Sequence, residues 1–395
     1  MQVYLDNAAT TKMSRAAIDA MLPYLDSVYG NPSALHSMGQ RAKEVLEDAR
    51  AKVAACLGAK RDEIYFTSGG SEADNQAILS AAAMGARKGK KHIVTTAFEH
   101  HAVLHTLKKL ESQGFSVTYL TVGRAGNVTA SQVAEAITDE TCLVTTMFAN
   151  NEIGSVLPIA EIGAVCRERK VLFHTDAVQA VGHIPVDVTA MNIDMLSLSG
   201  HKFHGPKGVG VLYARKGVAL TNLIEGGAQE KGRRAGTENV AGIAALAAAL
   251  EEATAHLSEN SEKVKALRDK LICGLSEIPH SILNGDRLHR LPGNVHFCFE
   301  GIEGESLLLL LDEHGIEASS GSACTSGSLD PSHVLLAIGH PHEIAHGSLR
   351  LTLSEYTTEE EIDYALEVIP QVVARLRAMS PIWRDKVEGK KRFLL

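Results

Sequence analysis

The chain has 395 residues, of which 45% are hydrophobic and 22% charged, a balance typical of a globular protein and not of a disordered one. The length favours two domains, and the net charge of -8 argues against nucleic acid as a ligand. Because the sequence has neither a signal peptide nor an apolar run that could span a membrane, we expect a cytoplasmic protein. Six scattered cysteines without a Cys-x-x-Cys pair indicate reduced thiols.

Short β-branched or apolar runs alternate with helical stretches along the first half of the chain. The runs predicted as strands are residues 63–67, 92–96, 115–121, 142–148, 171–175, 193–198 and 209–213. This alternation predicts an α/β fold with a mainly parallel sheet of seven strands and a ligand site beyond their carboxyl ends. The seventh strand follows the sixth through a short glycine-rich connection, so we expect it to run antiparallel.

A second domain is predicted towards the C-terminus. A long alanine-rich helix ends near residue 257, and the charged stretch 258–270 is the predicted domain boundary. Beyond it, alternating strands at 294–299 and 349–353 with flanking helices predict a smaller α+β domain. The predicted division gives a large domain of residues 13–257, while residues 1–12 and 258–395 form the smaller one.

Lys202 lies where the sixth predicted strand ends, in Ser-Gly-His-Lys-Phe-His-Gly-Pro-Lys-Gly-Val-Gly at residues 199–210. A lysine at the mouth of a sheet, partly desolvated and next to His201, loses part of its preference for the charged form. A neutral amine can form a Schiff base with an aldehyde. The alternative interpretation is an ordinary surface lysine, and the other motifs decide against it.

Two further motifs suit charged groups of a ligand, the first an anionic group and the second a cationic one. Thr-Ser-Gly-Gly-Ser-Glu at residues 67–72 joins a strand to a helix, whose free N–H groups form a phosphate cradle, with a simple capping box of Ser71 and Asp74 as the alternative. Asp176 follows directly after the fifth strand, where a carboxylate needs a partner such as a cationic heterocycle, with a helix N-cap as the alternative. Gln179 is near enough to reach the same ligand.

Three more residues belong to the candidate site. His100 follows the second strand, and an imidazole there can stack on a planar ring and move protons. Asn151 occupies the corresponding position after the fourth strand, where a turn is the alternative. Ser-Ser-Gly-Ser-Ala-Cys-Thr-Ser-Gly-Ser at residues 319–328 predicts a mobile loop with an accessible thiol at Cys324, a setting that favours a reactive cysteine.

Two motif matches point to other enzymes. His342-Glu-Ile-Ala-His346 fits the zinc peptidase pattern, but Pro341 and Gly347 leave little more than one helical turn, and no third ligand follows at a recognised spacing. We therefore predict no metal site and keep a zinc peptidase as an alternative. Ser-x-x-Lys at residues 199–202 matches β-lactamases, but their other motifs are missing, so that interpretation is rejected.

A lysine that accepts an aldehyde, a carboxylate for a ring nitrogen, a stacking histidine and a phosphate cradle are together what pyridoxal phosphate (PLP) needs. The chain closely resembles the cysteine desulfurases, class V aminotransferase-like enzymes that supply sulfur for iron-sulfur clusters. The resemblance runs from Tyr-Leu-Asp-Asn-Ala-Ala-Thr-Thr at residues 4–11 to Ser-Pro at 380–381. It implies the fold type I of PLP-dependent transferases, with the cysteine loop on the smaller domain.

By this resemblance, Lys202 forms the Schiff base with PLP, Asp176 holds the pyridine nitrogen, Gln179 holds the ring hydroxyl and His100 stacks on the ring. The implied phosphate ligands are Gly70, Ser71, Ser199, His201 and, from the neighbouring subunit of a homodimer, Thr237. Ser71 replaces the threonine that is common in the family, which keeps the hydroxyl.

The implied reaction removes sulfur from L-cysteine. Asn151 faces cofactor and substrate, and Arg350 binds the substrate carboxylate through a bidentate pair. Lys202 moves the α-proton, and the Cys324 thiolate takes the sulfur as a persulfide while alanine leaves. An acceptor protein, such as an iron-sulfur scaffold, then receives the sulfur.

Details of the loop and the tail refine this expectation. The untruncated cysteine loop favours cysteine over selenocysteine as the substrate. The tail Lys-Lys-Arg-Phe-Leu-Leu at residues 390–395 does not resemble the scaffold-docking tails of the family, and we expect a solvated end. An aminotransferase or lyase of the same fold that uses Lys202 alone remains the nearest alternative.

Overall fold

The computed structural model describes residues 1–320 and 331–395. The strands, in chain order, are β1 (Val3–Tyr4), β2 (Ile64–Thr67), β3 (His92–Thr96), β4 (Ser116–Leu120), β5 (Thr141–Met147), β6 (Leu172–Asp176), β7 (Met195–Ser199), β8 (Gly210–Ala214), β9 (Ser281–Leu283), β10 (Asn294–Phe299), β11 (Ile316–Glu317) and β12 (Ser348–Thr352). The α-helices are α1 (Arg15–Met21), α2 (Pro23–Asp26), α3 (Ser37–Leu57), α4 (Gly70–Ala86), α5 (His101–Glu111), α6 (Ala130–Ala136), α7 (Ile159–Arg169), α8 (Gln229–Gly232), α9 (Val240–Ala255), α10 (Leu257–Ser276), α11 (Gly304–Glu313), α12 (His333–Ala337), α13 (His342–His346), α14 (Glu359–Met379) and α15 (Pro381–Val387).

A seven-stranded sheet in the order β2-β8-β7-β6-β5-β3-β4 dominates the fold. The strands from β7 to β4 are parallel, whereas β8 runs antiparallel to both β7 and β2. The predicted mainly parallel α/β sheet is therefore confirmed, as is the antiparallel seventh strand. Each predicted strand lies within two residues of the observed one at either end, because runs that are buried on both faces stand out clearly in sequence.

A separate apolar core lies in the C-terminal part of the chain. Its sheet has the order β12-β10-β9 and is antiparallel throughout, and α10, α11 and α14 contribute buried side chains to the same core. Val3 and Leu5 from the N-terminal segment join this core, and β1 pairs in parallel with β11. This membership supports our proposed division, in which residues 1–12 belong with residues 258–395. However, Val334 and Ile344 pack into the core of the large sheet.

The charged stretch that was predicted as a boundary is a face of α10. Val264, Leu267 and Leu271 are buried on the opposite face, so the amphipathic helix continues through residues 258–270. The chain changes direction just before it, at His256, where α9 and α10 meet at an angle of 73°. Within residues 1–320 and 331–395, no single helix is long and apolar enough to cross a membrane, and α9 with α10 reaches that length only as a bent pair.

Candidate active site

The carboxyl ends of four neighbouring strands bring the predicted site residues to one edge of the sheet. His100 follows β3, Asn151 follows β5, Asp176 ends β6, and Lys202 follows β7. Parallel strands place such residues side by side, although they are far apart in sequence. This edge of the sheet is the candidate active site.

Lys202 closes a single 3-10 turn that directly follows β7. Its Nζ donates hydrogen bonds to the carbonyl oxygens of Ala8 at 2.6 Å and Ala9 at 2.8 Å. Gln179 Nε2 donates to the same Ala8 oxygen at 3.0 Å. His183 contacts the other end of the residue, since its Nε2 lies 2.9 Å from the Lys202 carbonyl oxygen. The N-terminal segment therefore holds the lysine amine and Gln179 at one place.

Asp176 is only 6% exposed, and its Oδ1 accepts a hydrogen bond from the backbone N–H of Val178 at 3.0 Å. Burial raises the pKa of this carboxyl, while a proton on His100, the Val178 bond and the positive charge of Lys202 act in the opposite direction. A cation that is placed against Asp176 would favour the ionised form further.

His100 caps α5, because its Nδ1 accepts the backbone N–H of Ala102 at 3.2 Å. Burial lowers the pKa of His100, and nearby Asp176 partly offsets this effect. The neutral ring is therefore favoured near neutral pH, with Nδ1 as an acceptor and Nε2 as the position that carries the proton.

The predicted phosphate cradle is an open depression in front of α4. Gly70, Ser71, Ser199 and His201 line it together with Thr10, whose hydroxyl lies 3.1 Å from His201 Nδ1. Burial lowers the pKa of His201 to about 4, so the ring is neutral and can donate or accept a hydrogen bond. The positive end of the helix dipole of α4 faces the same depression.

The capping box predicted at this helix is wrong. Asp74 is 1% exposed and lies inside the protein, whereas Glu72 accepts the backbone N–H of Ser68 at 2.8 Å. Ser71 itself lines the depression. Thr237 is exposed and lines an adjacent depression with Ser68. Its assignment to the partner subunit's site stays a prediction.

Arg350 lies on β12 with 3% of its surface exposed. Its Nη2 donates to Asp6 Oδ1 at 2.9 Å, its Nη1 donates to the Asn151 carbonyl oxygen at 3.2 Å, and its buried Nε has no partner among the described residues. The guanidinium thus joins the smaller core to the turn after β5. A buried donor without a partner is costly, so a bound carboxylate would stabilise it.

The segment that carries Cys324 lies outside the described residues, which end at Ser320 and resume at residue 331. Ser319, the last residue but one before this segment, exchanges backbone hydrogen bonds with Arg350 at 2.6 and 3.2 Å. On the far side, the Ser332 hydroxyl donates to the buried carboxylate of Glu152. Both described flanks of the segment therefore lie beside the candidate active site.

Comparisons with known proteins agree with this geometry. Residues 3–365 match the family described as aminotransferase class-V. A cysteine desulfurase IscS of Clostridium botulinum is 54% identical over 99% of both chains, and that of Methanosarcina thermophila is 56% identical over 96% of this chain and 94% of its own. The chain belongs to the cysteine desulfurase family. A solved structure titled NifS-like protein, at 39% identity, superimposes with a TM-score of 0.90 over 95% of this chain and 100% of its own.

This family membership decides against the zinc peptidase. Helix α13 has five residues, and His346 lies 3.9 Å from Glu303. In the described part of the chain, neither His342 nor His346 belongs to a group of three side chains that could reach one metal ion. The membership also supports the predicted fold type I architecture, which the sheet order and the NifS-like superposition confirm.

Sequence reasoning missed three residues of the desulfurase site. Asp6 pairs with Arg350, Thr10 contacts His201, and Asp74 lies within reach of Asp176. The first two occur in the N-terminal motif at residues 4–11, whose polar residues were a usable signal. No local signal marks Asp74 as an interior residue, because its position in the first turns of α4 is typical of a capping side chain.

Proposed function

We propose that this chain is a PLP-dependent cysteine desulfurase that converts L-cysteine to L-alanine and carries the sulfur as a persulfide on Cys324. The observation that carries the proposal is the convergence of Lys202, Asp176 and His100 at the carboxyl edge of the parallel sheet, in a chain that is more than half identical to curated desulfurases. The nearby guanidinium of Arg350 suits a substrate with a carboxylate.

The donor set at this edge fits PLP. A buried carboxylate, Asp176, matches a protonated ring nitrogen, and the neutral His100 matches a planar ring. The α4 N-terminus with Ser71, Ser199 and His201 matches a phosphate. When bound, the cofactor supplies an aldehyde for the substrate amine and an electron-withdrawing ring.

The residues of the chain then have distinct tasks. Arg350 binds and orients the substrate carboxylate, with Asn151 beside it. The Lys202 amine, held by the carbonyls of Ala8 and Ala9, is placed to take the α-proton and return it. Asp176 holds one negative charge beneath the site.

Sulfur transfer is assigned to Cys324. Its thiolate attacks the substrate sulfur, the carbon-sulfur bond breaks, and the electron pair of that bond returns to the substrate carbon, which is protonated to give alanine. The persulfide retains the transferred sulfur, so no external oxidant is needed. The flanks of the segment, at Ser319 and Ser332, lie close enough to the site to support this role.

The proposal includes a homodimer, a cytoplasmic location and an acceptor protein for the sulfur, such as an iron-sulfur scaffold. Support for the homodimer comes from large exposed apolar side chains in and after α1 and α2, namely Leu22, Leu25, Tyr29 and Leu35. The exposed Thr237 is then available to the partner subunit's phosphate. Support for the location comes from the five described cysteines, all of which are free thiols.

Two variants test the function. We expect the purified chain to be yellow, and Lys202→Ala to abolish the absorbance band of the bound cofactor. Cys324→Ala should keep the band and lose nearly all cysteine-dependent alanine and sulfide formation. An aminotransferase or lyase that uses Lys202 alone would instead retain product formation in Cys324→Ala. That result, measured by alanine and sulfide release, would overturn the assignment.

A further inference from the structure

A buried carboxyl that the proposed reaction does not use lies next to Asp176. Asp74 on α4 is 1% exposed, and its Oδ1 has no hydrogen-bond partner among the described residues. One ligand atom each of Asp74, His100 and Asp176 lie within 4.8 Å of one another. Two carboxyls this close in a buried site cannot both ionise without a large electrostatic cost.

Among residues 1–320 and 331–395, the surroundings of Asp74 offer it no compensating cation, although a hydrogen bond with the Ser197 side chain lowers the pKa of this carboxyl in part. The nearest ring, His174 on β6, is fully buried with Nε2 at 3.6 Å from Asp74 Oδ1. Burial lowers the pKa of His174 to about 3, and its two ring nitrogens lie within hydrogen-bonding distance of Thr145 and Ser197, which suits a neutral ring. Burial, together with the charges of Asp176 and Glu99, raises the pKa of Asp74 well above its ordinary value.

Asp176 has the opposite surroundings. His100 and Lys202 both face it from the active-site side, and the Lys202 ammonium, joined by His100 whenever that ring is protonated, favours the ionised form of Asp176. The backbone N–H of Val178 adds a hydrogen bond to the charged oxygen. Burial raises the pKa of both carboxyls, but only Asp176 has a cation and a backbone N–H beside it, so its surroundings favour the charge more than those of Asp74 do.

Glu99 is a third carboxyl in the same buried region. It is fully buried directly before His100, its Oε1 accepts the Thr96 hydroxyl, and its Oε2 has no partner among the described residues. Burial is the main cause that raises the pKa of Glu99 to about 8, and the charge of Asp176 adds to it. A negative charge on Asp176 thus raises the pKa of Glu99 and that of Asp74 alike.

We propose that Asp74 and Glu99 are positioning residues that are kept protonated, so that the buried carboxyl cluster has one negative charge and that charge stays on Asp176. In this arrangement the ionised Asp176 faces the ring nitrogen of the cofactor without competition from a second carboxylate. The proposal rests on the proposed function for its meaning, but the protonation states belong to the chain itself and can be measured without cofactor.

Infrared spectroscopy of the full-length chain freed of cofactor tests the proposal at neutral pH. We expect a carbonyl band of protonated carboxylic acids that weakens in Asp74→Asn and weakens separately in Glu99→Gln. Asp194 is the matched control, because it is a buried aspartate whose carboxylate pairs with Arg215 at 2.6 Å, so Asp194→Asn should leave the band unchanged. An unchanged band in Asp74→Asn would overturn the proposal.

Carboxyl-labelled aspartate gives the same information in the unmutated chain, should a variant fail to fold. Incorporation of ¹³C-carboxyl aspartate should shift the part of the acid band that Asp74 contributes and leave the part from Glu99. Absence of a shifted component means that Asp74 is ionised. Stoichiometric divalent metal in the cofactor-free chain, lost in Asp74→Asn, would also overturn the proposal, because a metal requires ionised carboxylates.

The loaded enzyme provides a second readout. An amide in place of a neutral acid should change the midpoint of the pH titration of the cofactor absorbance by less than about 0.5 pH unit in Asp74→Asn. Removal of an ionised carboxylate from this position would change it by about 1 unit or more, which would overturn the proposal. If no cofactor binds, the proposed function fails, while the infrared result still decides the protonation of Asp74.

Discussion

The guanidinium of Arg350 contacts two groups that constrain what can bind in front of it. Asp6 and the Asn151 carbonyl occupy its two terminal nitrogens, and within the part of the chain that the structure describes, its buried Nε has no partner. The charge of the guanidinium is therefore only partly matched in the described structure. A planar donor fork suits a carboxylate better than a point charge does, because two parallel hydrogen bonds fix both position and orientation.

Arg350→Lys should separate the effect of the bidentate hydrogen-bond geometry of the guanidinium from the effect of its positive charge. We expect the KM for cysteine to rise about 10- to 100-fold, since lysine keeps the charge but loses the bidentate geometry. Steady-state alanine formation over a range of cysteine concentrations measures this effect. Asp6→Asn is the matched control, because it weakens the same ion pair but leaves the fork, and its KM should rise less. Equal KM values in Arg350→Lys and the unmutated enzyme would contradict the assignment.

Glu99 gives the fold a pH dependence whose sign follows from its raised pKa of about 8. An acid with a higher pKa in the folded state binds more protons folded than unfolded, so its contribution to stability falls as pH rises from about 4.3 to about 8. Glu99→Gln should remove up to about 5 kcal/mol of this decline. Denaturant unfolding at several pH values measures the slope, and an unchanged slope in the variant would count against the raised pKa.

At the scale of elements, α4 must approach the end of β6 closely for the phosphate cradle to form. A Cβ on Gly70, its first residue, would lie 2.6 Å from Cγ2 of Val178. A methyl group there forces one of the two segments to move. The sequence therefore uses glycine at this position to bring free N–H groups against the strand end.

Gly70→Ala should weaken cofactor binding by about 10-fold or more, because displacement of the helix N-terminus misplaces the N–H groups of the cradle. Absorbance titration of the cofactor-free chain with PLP measures the affinity. The double variant Gly70→Ala with Val178→Ala removes the atoms that clash and should recover most of the loss. Without such recovery, the cause would lie elsewhere than in this contact.

At the scale of the whole molecule, the tail that was expected to be a solvated end is exposed at Lys390, Lys391 and Arg392, but its last three residues dock on the protein. Phe393 stacks on His280 with ring centres 3.8 Å apart, and the backbone N–H groups of Leu394 and Leu395 donate to Glu300 at 2.7 and 3.0 Å. Glu300 is fully buried and also pairs with Lys386. The chain end thus covers a buried ion pair.

Glu300→Ala should destabilise the protein by about 3 kcal/mol or more, since it removes the fully buried partner of the Lys386 ammonium, which keeps only the half-exposed Glu343 and the Arg392 carbonyl oxygen among the described residues, and it removes the acceptor of two tail N–H groups. Chemical unfolding followed by circular dichroism measures the loss. Removal of residues 393–395 keeps the ion pair and should cost less. If both changes cost the same, the tail rather than the buried charge would be the main source of stability.

Local pattern was sufficient for the strands and for residues at their ends, such as Lys202 and Asp176, because burial and strand period are encoded within a few neighbours. It was insufficient wherever a contact joins distant segments. The Asp6 to Arg350 pair, the interior position of Asp74 and the docked tail depend on packing between elements that no short stretch specifies. The charges of the stretch 258–270 cover the outer face of α10, which a short stretch does not reveal, and the domain division itself stays a prediction.

The carbonyls of Ala8 and Ala9 that hold the Lys202 amine have a consequence for biosynthesis. Their segment is anchored by β1, which pairs with β11 near residue 316. The N-terminal segment therefore cannot dock beside Lys202 before β11 has been synthesised. The reactive amine therefore acquires its proper neighbours only when translation is nearly complete. A nascent chain therefore cannot complete the surroundings of the Lys202 amine before β11 has been synthesised.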